Sequence, residues 1–153
     1  MEFGFSYVGL VYLLMLFIPN IIWARHQPEG YDPSGENRIL VFLERIGEIS
    51  VSCIVLIFSD FNIHAWSEWT IWLIASFTLM VLYELYWIRY FGSGRTLADQ
   101  YRPFLGIPIP GALLPVSAFF LLAVYGCNPI LAAATLILAI GHLGIHIGHA
   151  RGC

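Results

Sequence analysis

Apolar residues occur along the chain in long blocks whose lengths match the thickness of a lipid bilayer. A helix needs about 20 apolar residues to cross roughly 30 Å of hydrocarbon. Five blocks approach this length, and we number them as spans one to five: Phe3–Trp23, Ile39–Phe58, Trp69–Tyr90, Ile109–Tyr125 and Pro129–Ile147. Because a backbone in lipid must satisfy its own hydrogen bonds, each span is predicted to be an α-helix. The predicted fold is therefore an all-α bundle of five transmembrane helices, forming one integral membrane domain over residues 1–153.

The composition favours a membrane protein over a soluble one. Hydrophobic residues make up 59% of the chain and charged residues 11%, whereas soluble domains contain about 25% charged residues. A soluble domain of this size leaves roughly a third of its surface in water, so many of these apolar side chains would be exposed. The net charge of −3 and the three cysteines argue against a nucleic-acid-binding protein and against a disulfide-stabilised secreted scaffold.

The positively charged residues predict the orientation in the membrane. All seven are arginines, and they lie in the first loop, at one end of spans two and three, in the third loop and in the C-terminal tail: Arg25, Arg38, Arg45, Arg89, Arg95, Arg102 and Arg151. Cytoplasmic segments carry such an excess of positive charge. We therefore expect a multipass protein of the cytoplasmic membrane, with its N-terminus outside and its C-terminus inside the cell.

The third loop, residues 91–108, contains a helix signal. Thr96 and Asp99 have the spacing of a capping box, which predicts a short helix lying on the inner membrane surface. Arg95 and Arg102 flank this helix, and we expect them to contact the phosphate groups of membrane lipids.

Ionisable residues inside the spans predict a polar pocket. A charge near the bilayer centre costs several kcal/mol, so these residues require a specific role. In the predicted orientation they all lie in the inner half of the membrane, and residues four positions apart share one helix face. We expect a cytosol-facing pocket, to which Asn20 contributes, that binds its ligand through residues of spans two, three and five: Glu44, Arg45, Glu48, Glu84, Arg89, His142 and His146.

Each group of these residues can also have a purely structural role that involves no ligand. The charged residues of span two can form an ion pair that reaches the membrane interface, and Glu84 can pair similarly with Arg89. The two histidines can be neutral and hydrogen-bonded to each other or to the backbone, and His149 can be a solvated interfacial residue. The opposite side of span five carries small residues suited to close helix packing, namely Gly141, Gly144 and Gly148.

The pocket residues are suited to metal binding or proton transfer. Two histidines four positions apart, with carboxylates from another helix, can bind a divalent transition metal, so His142 and His146 are the predicted metal ligands. Without a metal, the same carboxylates and imidazoles can accept protons or a cation. The sequence identifies no catalytic residue, because Ser50 and Ser52 have no histidine in a recognisable motif.

Three segments carry a family resemblance: Trp87–Phe91, Phe104–Pro108 and Gly141–His146. With them, the whole chain resembles a family of small five-helix bacterial membrane proteins of unassigned function, which implies a fold and a bacterial membrane but no chemistry. Span two also has a weaker likeness to the membrane-associated eicosanoid and glutathione metabolism family. That resemblance would imply glutathione binding, but two of the three positions of its Arg-x-x-Asn-x-x-Glu pattern differ here.

Three functions are consistent with these residues. The first is a protein that carries or senses a small molecule or cation held in the pocket. The second is an enzyme that acts on a lipid-soluble substrate through acid–base or metal-assisted chemistry, which predicts an apolar groove beside the polar pocket. The third is an accessory subunit, or one copy of a homo-oligomer, whose charged residues pair with a partner and form an exposed polar face.

Overall fold

A computed structural model describes residues 1–152, and over this range the protein is helical. It contains six α-helices: α1 (Tyr7–Arg25), α2 (Arg38–Ile57), α3 (Thr70–Phe91), α4 (Leu97–Tyr101), α5 (Pro110–Tyr125) and α6 (Pro129–Gly152). Spans one, two, three, four and five correspond to α1, α2, α3, α5 and α6. The all-α class is therefore confirmed for the described residues.

Three of the helices are long and apolar enough to cross a membrane, namely α1, α3 and α6. The other two predicted spans fall short for different reasons. The helix α5 is apolar but has only 16 residues. The helix α2 has 20 residues, but these include the charged residues Arg38, Glu44, Arg45 and Glu48. The structure thus supports a helical membrane protein with three candidate spans.

Polar side chains determine where several helices begin. Ser6 accepts a hydrogen bond from the backbone of Gly9 at the start of α1, and Asn128 accepts one from Leu131 at the start of α6. Asn37 caps α2 in the same way. Such caps satisfy amide groups that have no partner within the helix.

The helices α1 and α6 differ in extent from the predicted spans one and five. Residues 3–6 are extended because they pair with the last residues of α2 and with Phe58: Gly4 donates to Ile57 and Ser6 donates to Leu56, both at 3.0 Å, and Phe3 forms a bridge with Phe58. Hydropathy alone cannot distinguish this apolar extended segment from a helix. The helix α6 continues past Ile147 to Gly152.

The helices α2 and α6 pack closely against each other at two glycines. A Cβ atom built on Gly47 would lie 2.5 Å from the Cα of Leu138, and one built on Gly141 would overlap the backbone nitrogen of Glu44. Gly144 also faces α2, whereas a Cβ atom built on Gly148 would meet no other atom within 4 Å. The predicted glycine seam is therefore confirmed at Gly141 and Gly144. This close approach brings the backbone of Glu44 next to α6.

The short helix α4 is confirmed together with its capping box. Thr96 accepts a hydrogen bond from the backbone of Asp99, and the Asp99 carboxylate accepts one from the backbone of Thr96, both at 3.1 Å. Hydrogen bonds from the backbone and the hydroxyl of Thr96 to the Asp99 carboxylate hold the pKa of this carboxyl below its usual range. The Tyr86 hydroxyl donates to the carbonyl of Gln100 at 2.9 Å. This contact fixes α4 against α3, where its buried residues close one end of the bundle.

Candidate functional site

A cavity of about 350 Å³ lies at the end of the bundle formed by residues 26–37 and 92–109. We call it the polar chamber. Its walls come from all six helices and from the loop between α1 and α2. Besides tyrosines, its charged and titratable lining consists of three carboxylates, one guanidinium and three imidazoles: Glu36, Glu44, Glu48, Arg45, His142, His146 and His149. The ionisable residues of α2 and α6 therefore meet around one shared space.

The shortest contact in the chamber joins Glu44 and His142. Oε1 of Glu44 lies 2.6 Å from Nδ1 of His142, and both side chains are mostly shielded from solvent. The glycine contact between α2 and α6 makes this distance possible. A carboxylate this close to a ring nitrogen fixes the orientation of the imidazole.

Glu48 lies one helical turn from Glu44 on the same face of α2. One ligand atom from each of Glu44, Glu48 and His142 can be chosen so that all three lie within 4.8 Å of one another. We call these residues the Glu/His cluster. Glu48 is the exposed member of the three. Two carboxylates and one imidazole at this separation form a donor set for a divalent transition metal.

His146 adjoins the cluster without belonging to it. The centroid of its ring is 4.4 Å from that of His142 and 5.8 Å from that of Tyr101. It therefore lies between the Glu/His cluster and α4. The predicted metal-ligand pair, His142 and His146, is close in space, but the compact donor group combines His142 with the two glutamates instead.

His149 forms a second acid–imidazole contact in the chamber. Its Nε2 lies 2.8 Å from Oε1 of Glu36 in the first loop, and its ring packs against the rings of Tyr31 and Tyr101. Burial, and the nearby carboxylates of Glu36 and Glu44, raise the pKa of Tyr31 to about 12. The expectation that His149 is a solvated interfacial residue was wrong, because the first loop folds over the end of α6. A loop contact of this kind leaves no signal in helical spacing.

The other predicted ligand-binding residues occupy different places. Arg45 lines the chamber. The guanidinium of Arg89 donates to the carbonyl groups of Pro103 and Arg102 at 2.9 and 3.0 Å and lies over the ring of Phe104. It thereby holds the third loop in place. Among the described residues, Glu84 lines neither this chamber nor the cavity beside it, and its buried Oε1 has no hydrogen-bond partner.

A second cavity, of about 390 Å³, adjoins the polar chamber. We call it the apolar cavity. Six residues line both: Asn20, Trp23, Glu44, Arg45, Glu48 and His142. The remaining wall is mostly apolar and includes Leu16, Phe17, Pro115, Phe119 and Leu138. The Glu/His cluster therefore lies where a polar space meets an apolar one.

Among the uncharged residues of the chamber, the sequence indicated Asn20 but not the others. The amide of Asn20, expected to contribute, donates to the hydroxyl of Tyr83 at 2.6 Å. Trp23 donates to the side chain of Gln100 at 3.2 Å, and Tyr31 and Tyr101 complete the wall. Aromatic residues near the ends of spans are typical of membrane interfaces, so only their positions in the fold identify them as lining residues.

A third cavity lies away from the ionisable residues. It measures about 400 Å³ and lies between α1 and α3, with an almost entirely apolar lining that includes Val8, Tyr12 and Phe77. It brings together none of the candidate metal-binding or acid–base groups. The chemistry of the described chain is therefore concentrated at the polar chamber.

Comparisons with known proteins identified no relative of this chain. No family model, curated protein or solved structure matches the chain. The function is therefore inferred from the side chains and distances of the chamber itself.

Proposed function

We propose that this chain is a multipass protein of the cytoplasmic membrane that binds a divalent transition metal at the cytosolic end of its helix bundle. The observation that carries the proposal is the Glu/His cluster, whose three donor atoms lie within 4.8 Å of one another. Glu44 and Glu48 come from α2 and His142 comes from α6. Two negative carboxylates balance the charge of one divalent cation, and the imidazole nitrogen supplies a third ligand.

The cost of charge in a membrane favours an occupant for this cluster. Glu48 is exposed, on a helix whose other faces carry apolar residues such as Ile46 and Ile49, themselves exposed. An ionised carboxylate at that position is unfavourable in hydrocarbon unless a proton or a cation neutralises it. A metal ion shared with Glu44 would supply the missing charge. Arg45 follows Glu44 in the chain and lines the same chamber, so its positive charge would limit the site to one such ion.

The proposed topology has five crossings, with the polar chamber facing the cytosol. All seven arginines are compatible with it. The 16 residues of α5 extend about 24 Å, which is nearly enough to cross the hydrocarbon. Glu44, Arg45 and Glu48 of α2 line the chamber, so this helix can cross without placing them all against lipid. The arginine-bearing loops at the same end would contact phosphate groups of lipids.

Binding is favoured over transport by the other end of the bundle. Beyond the chamber, α2 and α6 present buried apolar residues to the interior, including Val51, Val55 and Leu131. A carrier needs polar groups or a gate along its path to the far side. A role in holding or sensing the metal is therefore the better fit to this packing.

Metal analysis of the purified protein tests the proposal. We expect about one equivalent of Zn²⁺ or Co²⁺ to remain bound after dialysis, and we expect Glu48→Gln and His142→Ala to lose it. Glu68→Gln and His26→Ala are matched controls, because both residues are exposed and lie outside the chamber. Equal metal content in the wild-type protein and in a combined Glu48→Gln/His142→Ala variant would refute the proposal.

An enzyme acting on a lipid-soluble substrate is the second candidate function. The observation in its favour is the apolar cavity beside the polar chamber, which is the feature this hypothesis predicts. The hydrogen-bonded Glu44–His142 pair, at 2.6 Å, would serve as its acid–base group. An accessory subunit is a weaker candidate, because the ionisable residues of α2 and α6 converge on an internal space.

A further inference from the structure

The Glu/His cluster is shared by two cavities of opposite character. Glu44, Glu48 and His142 line both the polar chamber and the apolar cavity. The apolar cavity extends from them past Pro115 and Phe119 on α5. A molecule that fills this combined space must be polar at one end and apolar at the other.

The apolar cavity opens to the side of the bundle, between α1 and α2. Phe17 is 42% exposed although it lines the cavity, and Ala24 and Glu48 are exposed as well. At the other end of α1 the helix is held tightly, because a Cβ atom built on Gly9 would overlap the carbonyl of Val55. The two helices therefore diverge towards the chamber. In a membrane, this gap would face the hydrocarbon, from which an apolar chain could enter.

The donor set leaves room for a ligand that the protein does not supply. Metal sites with three protein ligands keep an open position for water or for a substrate group. The open side of the Glu/His cluster adjoins the two cavities, since all three residues line both. An oxygen atom on a ligand is suited to that position.

We propose that the apolar cavity binds the hydrocarbon part of a lipid-soluble molecule whose oxygen-bearing head group completes the coordination of the metal. This inference rests on the proposed function, since it assumes a metal at the Glu/His cluster. It adds the chemical class of the second ligand and its route of entry. Volumes of about 350 and 390 Å³ for the two cavities fall within the range of pockets that hold small organic molecules.

The test uses the full chain in phosphatidylcholine nanodiscs, loaded with Co²⁺, whose visible spectrum reports its ligands. Two probes share one chelating head: acetohydroxamic acid, and octanohydroxamic acid with six more methylene groups. After correction for partition into empty nanodiscs, octanohydroxamic acid should half-saturate the spectral change at a concentration lower by about 10-fold or more, because its chain is buried in the apolar cavity.

Two variants locate the chain. Ala24→Trp places a large side chain at an exposed position that lines the apolar cavity, so it should abolish the advantage of the longer probe while the response to acetohydroxamic acid remains. Ile21→Trp is the matched control. Ile21 is 52% exposed on the same helix and lines neither cavity, so the advantage should persist.

The outcomes separate this inference from the proposed function. Equal affinity for both probes in a protein with a normal Co²⁺ spectrum would overturn the inference and leave the metal site standing. A chain-length advantage of the same size in both tryptophan variants would also overturn it, because the chain would then lie elsewhere. Failure of the wild-type protein to bind Co²⁺ would instead overturn the proposed function, and the inference with it.

Discussion

Replacing Gly47 by alanine tests whether the close approach of α2 and α6 positions the metal ligands. The added Cβ would lie 2.5 Å from the Cα of Leu138 and 2.6 Å from its backbone nitrogen, whereas ordinary contacts begin at 3.4 Å. These atoms belong to the backbone of α6, so a side-chain rotation cannot relieve the clash. The two helices must therefore move apart by about 0.9 Å, the difference between 3.4 and 2.5 Å.

The separation has two expected consequences. Overpacking of this kind lowers the free energy of unfolding by about 1–3 kcal/mol. Glu44 and Glu48 lie on either side of Gly47 and would move with α2, away from His142. A site misplaced by this much should lose metal affinity by roughly 10- to 100-fold, as when the supporting contacts of a ligand are removed.

Gly148→Ala is the matched control on α6. Nothing lies within 4 Å of a Cβ at that position, so the variant should gain up to about 1 kcal/mol from helix propensity and bind metal normally. Chemical unfolding in mixed micelles measures the stability, and isothermal titration with Zn²⁺ measures the affinity. Wild-type affinity in Gly47→Ala would refute the claim that this glycine contact assembles the Glu/His cluster.

Three further predictions concern the loops around the chamber. Glu36→Gln should weaken the contact to His149 and increase hydrogen exchange in the first loop without removing the metal, whereas loss of metal would make Glu36 a ligand. Arg89→Ala should destabilise the protein by about 1–3 kcal/mol, because a charged donor to several carbonyls is lost; unchanged unfolding would contradict this role. Hydrogen bonds from Thr96 lower the pKa of the Asp99 carboxyl. The contribution of the ionised carboxylate to the stability of α4 should therefore be complete above the pKa that Asp99 has in the unfolded chain. It should be lost as the pH falls through the lower pKa of the folded protein. Hydrogen exchange of α4 measured against pH should show this loss, and Asp99→Asn should remove the pH dependence.

The helices themselves follow from local properties of the chain. Length and hydropathy of the five apolar blocks predict α1, α2, α3, α5 and α6, and the spacing of Thr96 and Asp99 predicts α4. The helices differ in extent from the predicted spans where a distant segment contacts them. Residues 3–6 are extended because they pair with residues 56–59, and the end of α6, which is longer than predicted, lies under the first loop.

The candidate site was only partly predictable. Helical periodicity places Glu44 with Glu48 on one face of α2, and His142 with His146 on one face of α6. It does not show how each helix is rotated against its neighbours. Arg89 was expected at the pocket because of its depth along α3, but its guanidinium reaches the carbonyl groups of the third loop.

The amino-acid sequence by itself determined that this protein is helical and suited to a membrane, and at which level of the bundle its acids and imidazoles lie. These features depend on hydropathy and on a period of 3.6 residues, both of which are local. Only the tertiary structure decided that Glu44 and Glu48 meet His142, that Glu36 meets His149, and that an apolar cavity adjoins them. Contacts between helices depend on the distance and rotation at which the helices pack. Here both are set by glycines, because a glycine lets the backbone of the neighbouring helix come close.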